Sequence, residues 1–94
     1  MCKRGDIYYV DFGNQKNSHI QQGIRPAIVV SNNKANDHSH LVTVVPLTKQ
    51  VQKKKHLPTH VYLPKKVFKG LKWSSLVLAE QVLTVDKFQL KNKL

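Results

Sequence analysis

Apolar residues in this chain gather in five short runs rich in β-branched, leucine and aromatic side chains, at residues 7–12, 25–31, 41–48, 59–63 and 76–85. Runs of that length and composition fit pleated, half-buried strands. Five of them in 94 residues predict a mainly β fold, a small barrel of about five antiparallel strands. A chain of this size buries about 60–70% of its unfolded surface and cannot divide its core, so residues 1–94 are expected to form a single domain. The 40% apolar and 22% charged content is that of a folding chain rather than a disordered one. No apolar run approaches the roughly 18–20 residues that cross a bilayer, and no hydrophobic stretch follows Met1-Cys2-Lys3-Arg4; a soluble, cytoplasmic chain is the expectation. One cysteine, Cys2, can form neither an internal disulfide nor a metal site.

The connections differ in length. Residues 13–23 form a polar loop about twice as long as the usual 4–6-residue connection, and long loops are often functional. Residues 32–40 leave room for one helical turn over 33–36, 50–58 form a lysine-rich loop, and 85–90 read as a short terminal helix with Asp86 near its start. If the runs at 25–31 and 41–48 pair as an antiparallel hairpin, Arg25 at the start of one lies beside Thr48 at the end of the other. Pro26 suits that placement, because it favours an extended Arg25 and is tolerated near the first residue of a strand.

Charge narrows the partner. Sixteen Lys and Arg against five Asp and Glu give +11. Residues 38–79 contain eight lysines and no acidic residue. A one-sided field of this kind attracts polyanions, nucleic acid first; the plainer readings are solvated lysines that maintain solubility and, with no basic amphipathic helix to support it, an anionic membrane surface.

Only Arg4 and Arg25 among the sixteen can grip a phosphate bidentately. Arg25 beside the Thr48 hydroxyl could clamp a phosphodiester and stabilise charge developing on phosphorus. RNA brings its own nucleophile, the 2′-hydroxyl, so such a site could cleave it without metal or a protein nucleophile. Equally, Arg25 could form a structural salt bridge and Thr48 simply end a strand. His19, in the long loop, is the histidine nearest this site and a candidate acid or base. His38 and His40 sit in a connection away from it, and Pro58 keeps His56 and His60 off one helical face. Nothing suggests zinc, magnesium or calcium, and no cofactor is expected. Glu80 and Gln81, polar within an apolar strand, could read base edges or pair with neighbouring backbone or a lysine. Tyr8, Tyr9, Phe12, Phe68 and Trp73 could stack on bases, although aromatic residues of a small β domain usually fill its core.

Four segments in order, Arg4-Gly5-Asp6-Ile7-Tyr8, Gly23-Ile24-Arg25-Pro26-Ala27-Ile28-Val29-Val30, Val45-Pro46-Leu47-Thr48, and Leu78-Ala79-Glu80-Gln81 with Thr84-Val85-Asp86, resemble the MazF/PemK family of toxin endoribonucleases. Leu57-Pro58-Thr59-His60-Val61 adds a fifth likeness. The resemblance implies an SH3-like barrel with short helices, usually a homodimer. It implies metal-independent, sequence-specific cleavage of single-stranded mRNA to a 2′,3′-cyclic phosphate and a 5′-hydroxyl. The family's catalytic arginine and threonine map onto Arg25 and Thr48, and RNA contacts are expected from Gln21, Lys49, Lys53, Lys54, Lys55, Glu80 and Gln81. A cognate antitoxin with an acidic, poorly ordered segment is the implied protein partner. Many relatives carry an acidic residue where this chain has Ser18-His19-Ile20-Gln21-Gln22; if a carboxylate is the base there, this chain uses another group, His19 being a candidate, or none. The family commonly continues into a C-terminal helix, whereas this sequence stops at Leu94. The alternatives are a non-catalytic nucleic-acid-binding module and a gyrase poison like CcdB, both of the same fold.

Overall fold

The computed structural model describes residues 2–13, 22–49, 60–64 and 73–94. In chain order its elements are β1 (Ile7–Asp11), β2 (Ile24–Val29), α1 (Asn33–His38), β3 (Leu41–Thr48), β4 (His60–Leu63), β5 (Ser75–Leu78), a 3₁₀ turn (Ala79–Gln81), β6 (Leu83–Asp86), a second 3₁₀ turn (Lys87–Gln89) and β7 (Leu90–Lys93). The mainly β class follows from the strand-like runs. The sheet runs β4-β5-β3-β2-β1-β7, with β6 beside β3. Among the described residues β4 and β7 end this path without meeting, so the sheet is not closed into the expected barrel.

β3 organises the rest. Five of its eight residues, Val42, Val44, Val45, Pro46 and Leu47, are buried. One edge carries β2, from Ala27↔Pro46 to Val29↔Val44. The other is divided: β6 follows its first half, from Leu41↔Asp86 to Val44↔Leu83, and β5 its end, at Leu47↔Val77 and Thr48↔Leu76. Between the pairs Val44↔Leu83 and Leu47↔Val77, β3 advances three residues while its partner advances six. The excess is the 3₁₀ turn Ala79–Gln81. The single strand expected over 76–85 is therefore two strands with Glu80 and Gln81 in a bulge between them.

Two prolines inside a sheet need an account, since neither can donate to a ladder. Val30 and Ser31 both donate to the Thr43 carbonyl, at 3.0 and 3.4 Å. Odd-numbered residues of β3 thus turn their polar groups toward β2 and even-numbered ones turn away. Pro46 faces the far edge, at the bulge between β5 and β6, where the ladder has no pair to lose. Val29 donates to Asp6 and accepts from Gly5, both at 2.8 Å on the β1 side, so even-numbered residues of β2 face β3. Pro26 would come next after Ala27↔Pro46, opposite Leu47, and has no N–H to give. The β2–β3 ladder stops there.

The sheet has apolar side chains on both faces. One core contains Cys2, Val10, Ala27, Val29, Val42, Val44 and Val85, with Tyr8, Phe12, Leu83 and Leu90 packed against it. The free Cys2 thiol is part of this core. Burial, reinforced by the charges of Asp6 and Cys2, pushes the Tyr8 phenol up. The second core holds Ile7, Leu47 and Leu63, joined by Ile28, Val77 and Leu94.

The helical turn expected over 33–36 extends to His38; Asn32 caps it, its Oδ1 accepting from the Ala35 N–H at 2.8 Å. The terminal helix expected over 85–90 shrinks to the turn Lys87–Gln89, with Asp86 and Gln89 closing a capping box. Leu90–Lys93 then leaves as a strand because the outer edge of β1 accepts it, at Tyr8↔Lys93 and Val10↔Leu90. No described helix is long and apolar enough to cross a membrane.

Asn36 is fully buried; its Oδ1 accepts from the Ser31 hydroxyl and its Nδ2 donates to the Ser31 carbonyl at 3.0 Å. Its own carbonyl accepts from Lys87 Nζ, tying α1 to the C-terminal turn. Asn36→Ala leaves the Ser31 groups without these partners and is expected to lower stability by about 2–3 kcal/mol, read as a reduced urea midpoint at unchanged slope.

Candidate functional site

The site is built where β1, β2 and β3 reach the same end of the sheet. The Phe12 N–H donates to the Gly23 carbonyl at 2.9 Å, and the Gly23 N–H to the Gly13 carbonyl at 2.7 Å. Asp11 Oδ1 accepts from the Gly13 N–H at 2.9 Å. Gly13 and Gly23 hold φ of 73° and 74°, left-handed conformations that favour glycine. Together they staple the base of the long loop. His19 and Gln21 belong to that loop and lie outside the described residues.

Arg25 follows directly. It pairs with Val10 of β1 and is exposed. Its Nε donates to the Gln22 carbonyl at 3.1 Å. Among the described residues this partner is a backbone carbonyl rather than a carboxylate, which is not the structural salt bridge weighed from sequence. Thr48, half-buried, ends β3. Carrying the β2–β3 register two residues past Ala27↔Pro46 sets Arg25 opposite Thr48. Arg25 and Thr48 both turn their backbone polar groups away from each other, so theirs is a non-hydrogen-bonded position, two residues past the last pair of the ladder. They share the face of Ala27, Val29 and Val44, the face of the first core.

The remaining candidates spread outward from Thr48. Lys49 follows it in sequence, exposed, with Nζ 5.1 Å from the centroid of the Trp73 ring. Lys53, Lys54 and Lys55 lie outside the described residues. Exposed Glu80 and half-buried Gln81 occupy the 3₁₀ bulge against β3, on the edge away from β2. His40 precedes the first residue of β3, so the length of that eight-residue strand, about 26 Å, separates it from Thr48. Trp73 was expected among the aromatic residues that usually fill a small β core; instead 59% of it is exposed. The sequence reading also missed a shallow groove of about 240 Å³ between the end of β1 and the C-terminal turn, lined by Phe12, Phe88 and Lys91 among others.

Three of the five carboxylates have local backbone partners: Asp6 accepts from the Lys3 N–H and pairs with Lys93 at 3.5 Å, Asp11 holds Gly13, and Asp86 caps the last turn. A Cβ built on Gly23 meets nothing within 4 Å, so Gly23→Ala isolates the backbone cost of positive φ. It is expected to lower stability by about 1–2 kcal/mol in thermal or urea unfolding.

Comparison with known proteins places this geometry. Residues 3–94 match the family described as PemK-like, MazF-like toxins of type II toxin–antitoxin systems. The endoribonuclease MazF of Staphylococcus epidermidis is 40% identical over 94 residues, all of this chain and 76% of that protein. Among solved structures, an endoribonuclease in complex with its cognate antitoxin from a mycobacterial species superposes with a TM-score of 0.75 at 27% identity, covering 99% of this chain and 76% of that one. MazF (Form-I) from Deinococcus radiodurans gives 0.71 at 30% identity, over 90% of this chain and 70% of that one. The strand order, the Gly23-to-Val30 segment entering β2 and the Thr48 end of β3 thus occur in a chain that belongs to the PemK-like, MazF-like toxins of type II toxin–antitoxin systems.

Proposed function

We propose that this toxin is an endoribonuclease that cuts single-stranded mRNA at short sequences, with Arg25 and Thr48 as its catalytic residues. The observation that supports it most is the β2–β3 register, which brings an exposed guanidinium and a hydroxyl together where the ladder ends. The substrate's 2′-hydroxyl attacks the adjacent phosphorus. A P–O2′ bond forms, the P–O5′ bond breaks, and the products are a 2′,3′-cyclic phosphate and a 5′-hydroxyl. Arg25 holds non-bridging oxygens and stabilises the charge that grows on them in the transition state. Thr48 donates to the same phosphate and fixes the sugar for in-line attack. The proton leaving O2′ goes to a base, for which His19 is the candidate, and O5′ takes up a proton as it departs. Since the nucleophile comes from the substrate, the route as written requires no metal.

Lys49, Lys53, Lys54 and Lys55 neutralise neighbouring phosphates, and Gln21, Glu80 and Gln81 read base edges of the unpaired strand. The same basic surface suits an antitoxin with an acidic, poorly ordered segment that covers the cleft, as expected for a toxin whose relative was solved with its cognate antitoxin. A homodimer acting on mRNA in the cytoplasm completes the reading.

Purified protein and Arg25→Ala, each incubated with a long single-stranded RNA in EDTA, test it. Discrete cuts with 5′-hydroxyl ends are expected from the wild type, with a rate about 10²–10³-fold lower in the variant. RNA affinity of the variant should fall by less than about tenfold, since one phosphate contact among many is lost. A folded wild type that binds RNA and leaves it intact makes the protein a binding module; block of gyrase supercoiling with RNA intact makes it a gyrase poison.

A further inference from the structure

We propose that Trp73 is the platform on which one unpaired base beside the cleaved phosphodiester stacks, with Lys49 as the residue that orients its ring. This rests on the nuclease reading of Arg25 and Thr48 and adds to it the means by which a neighbouring nucleotide is held.

A tryptophan carries more apolar surface than most side chains can offer a core, yet 59% of this one is exposed. It is nonetheless anchored. The Trp73 carbonyl accepts from Ser75 Oγ at 3.1 Å, and Ser75 is buried at the start of β5. The next residue, Leu76, pairs with Thr48. On the opposite strand Lys49, directly after Thr48, brings its ammonium to 5.1 Å from the ring centroid, within the range of a cation–π contact. The Trp73 backbone is therefore tied to β5, and its ring to Lys49, the residue that follows the threonine proposed to hold the phosphate. An open, oriented aromatic face next to a cation is the arrangement that binds single strands: the ring stacks a base of any identity while the ammonium neutralises the phosphate beside it. The arrangement favours unpaired substrate, because a base inside a duplex already stacks on its neighbours.

Trp73 is the sole tryptophan of the chain, so intrinsic fluorescence reports on this position alone. The ligand is an oligoribonucleotide spanning a cut site mapped on the long RNA, with 2′-deoxyribose at the cleaved position to remove the nucleophile. Saturable quenching of the wild type is expected, abolished when an abasic nucleotide occupies one position near the cut and retained when it occupies others. On the uncut RNA, Trp73→Ala is expected to lower kcat/KM about 5- to 150-fold, with an unchanged melting temperature, and Trp73→Phe to recover most of the loss.

An RNA that the wild type cuts, but that leaves the fluorescence unmoved and is cut equally by Trp73→Ala, overturns the stacking role and leaves the nuclease reading standing. Quenching that survives an abasic nucleotide at every position overturns it as well, since the ring then senses phosphate rather than base. A wild type that cuts no RNA overturns both.

Discussion

Val44 pairs with Val29 across one edge of β3 and with Leu83 across the other, and its side chain is wholly buried among Val10, Ala27 and Val85. Such a residue fixes register in two directions at once, because a slip of one position would turn the buried valines of β3 to the opposite face. The register set there runs outward to Ala27↔Pro46, and from it to the place where Arg25 and Thr48 face each other. Their alignment is thus decided by core packing several residues away. Neither side chain has to find the other.

The prolines show how that pairing ends. Each lacks the N–H that a continuous ladder would use, and each stands where the loss is absorbed: Pro46 at the bulge between β5 and β6, Pro26 one step beyond the last β2–β3 pair. A sheet that stayed hydrogen-bonded to its end would hold Arg25 and Thr48 within a closed ladder. Here Arg25 and Thr48 continue the register of β2 and β3 two residues past the last paired residues.

Much of this was legible in the residues. The β-branched runs gave the strands, and the Arg25-to-Ser31 and Leu41-to-Thr48 runs gave the hairpin, because local pattern and tertiary pairing agree there. The bulge at Glu80 and Gln81 was hidden in a run that reads as one apolar strand; what splits it is the geometry of β3, which asks for two partners along one edge. β7 was hidden for the opposite reason, since Leu90-Lys91-Asn92-Lys93 has no alternation and becomes a strand only through the edge that β1 offers. At the site, Arg25 and Thr48 could be placed together from the hairpin alone. The exposure of Trp73 could not, as an indole's chemistry fits a core and a surface equally well.

The two glycines beneath the long loop separate two inheritances. Gly13 and Gly23 close the chain on itself through a 2.7 Å hydrogen bond, so that the ends of any loop between them are held together by backbone alone. The entropy cost of closing a loop grows only logarithmically, about 0.6 kcal/mol for a doubling of length. The same two glycines can therefore carry loops of different length over an unchanged sheet, so that the history of the loop and the history of the strands beneath it are separable.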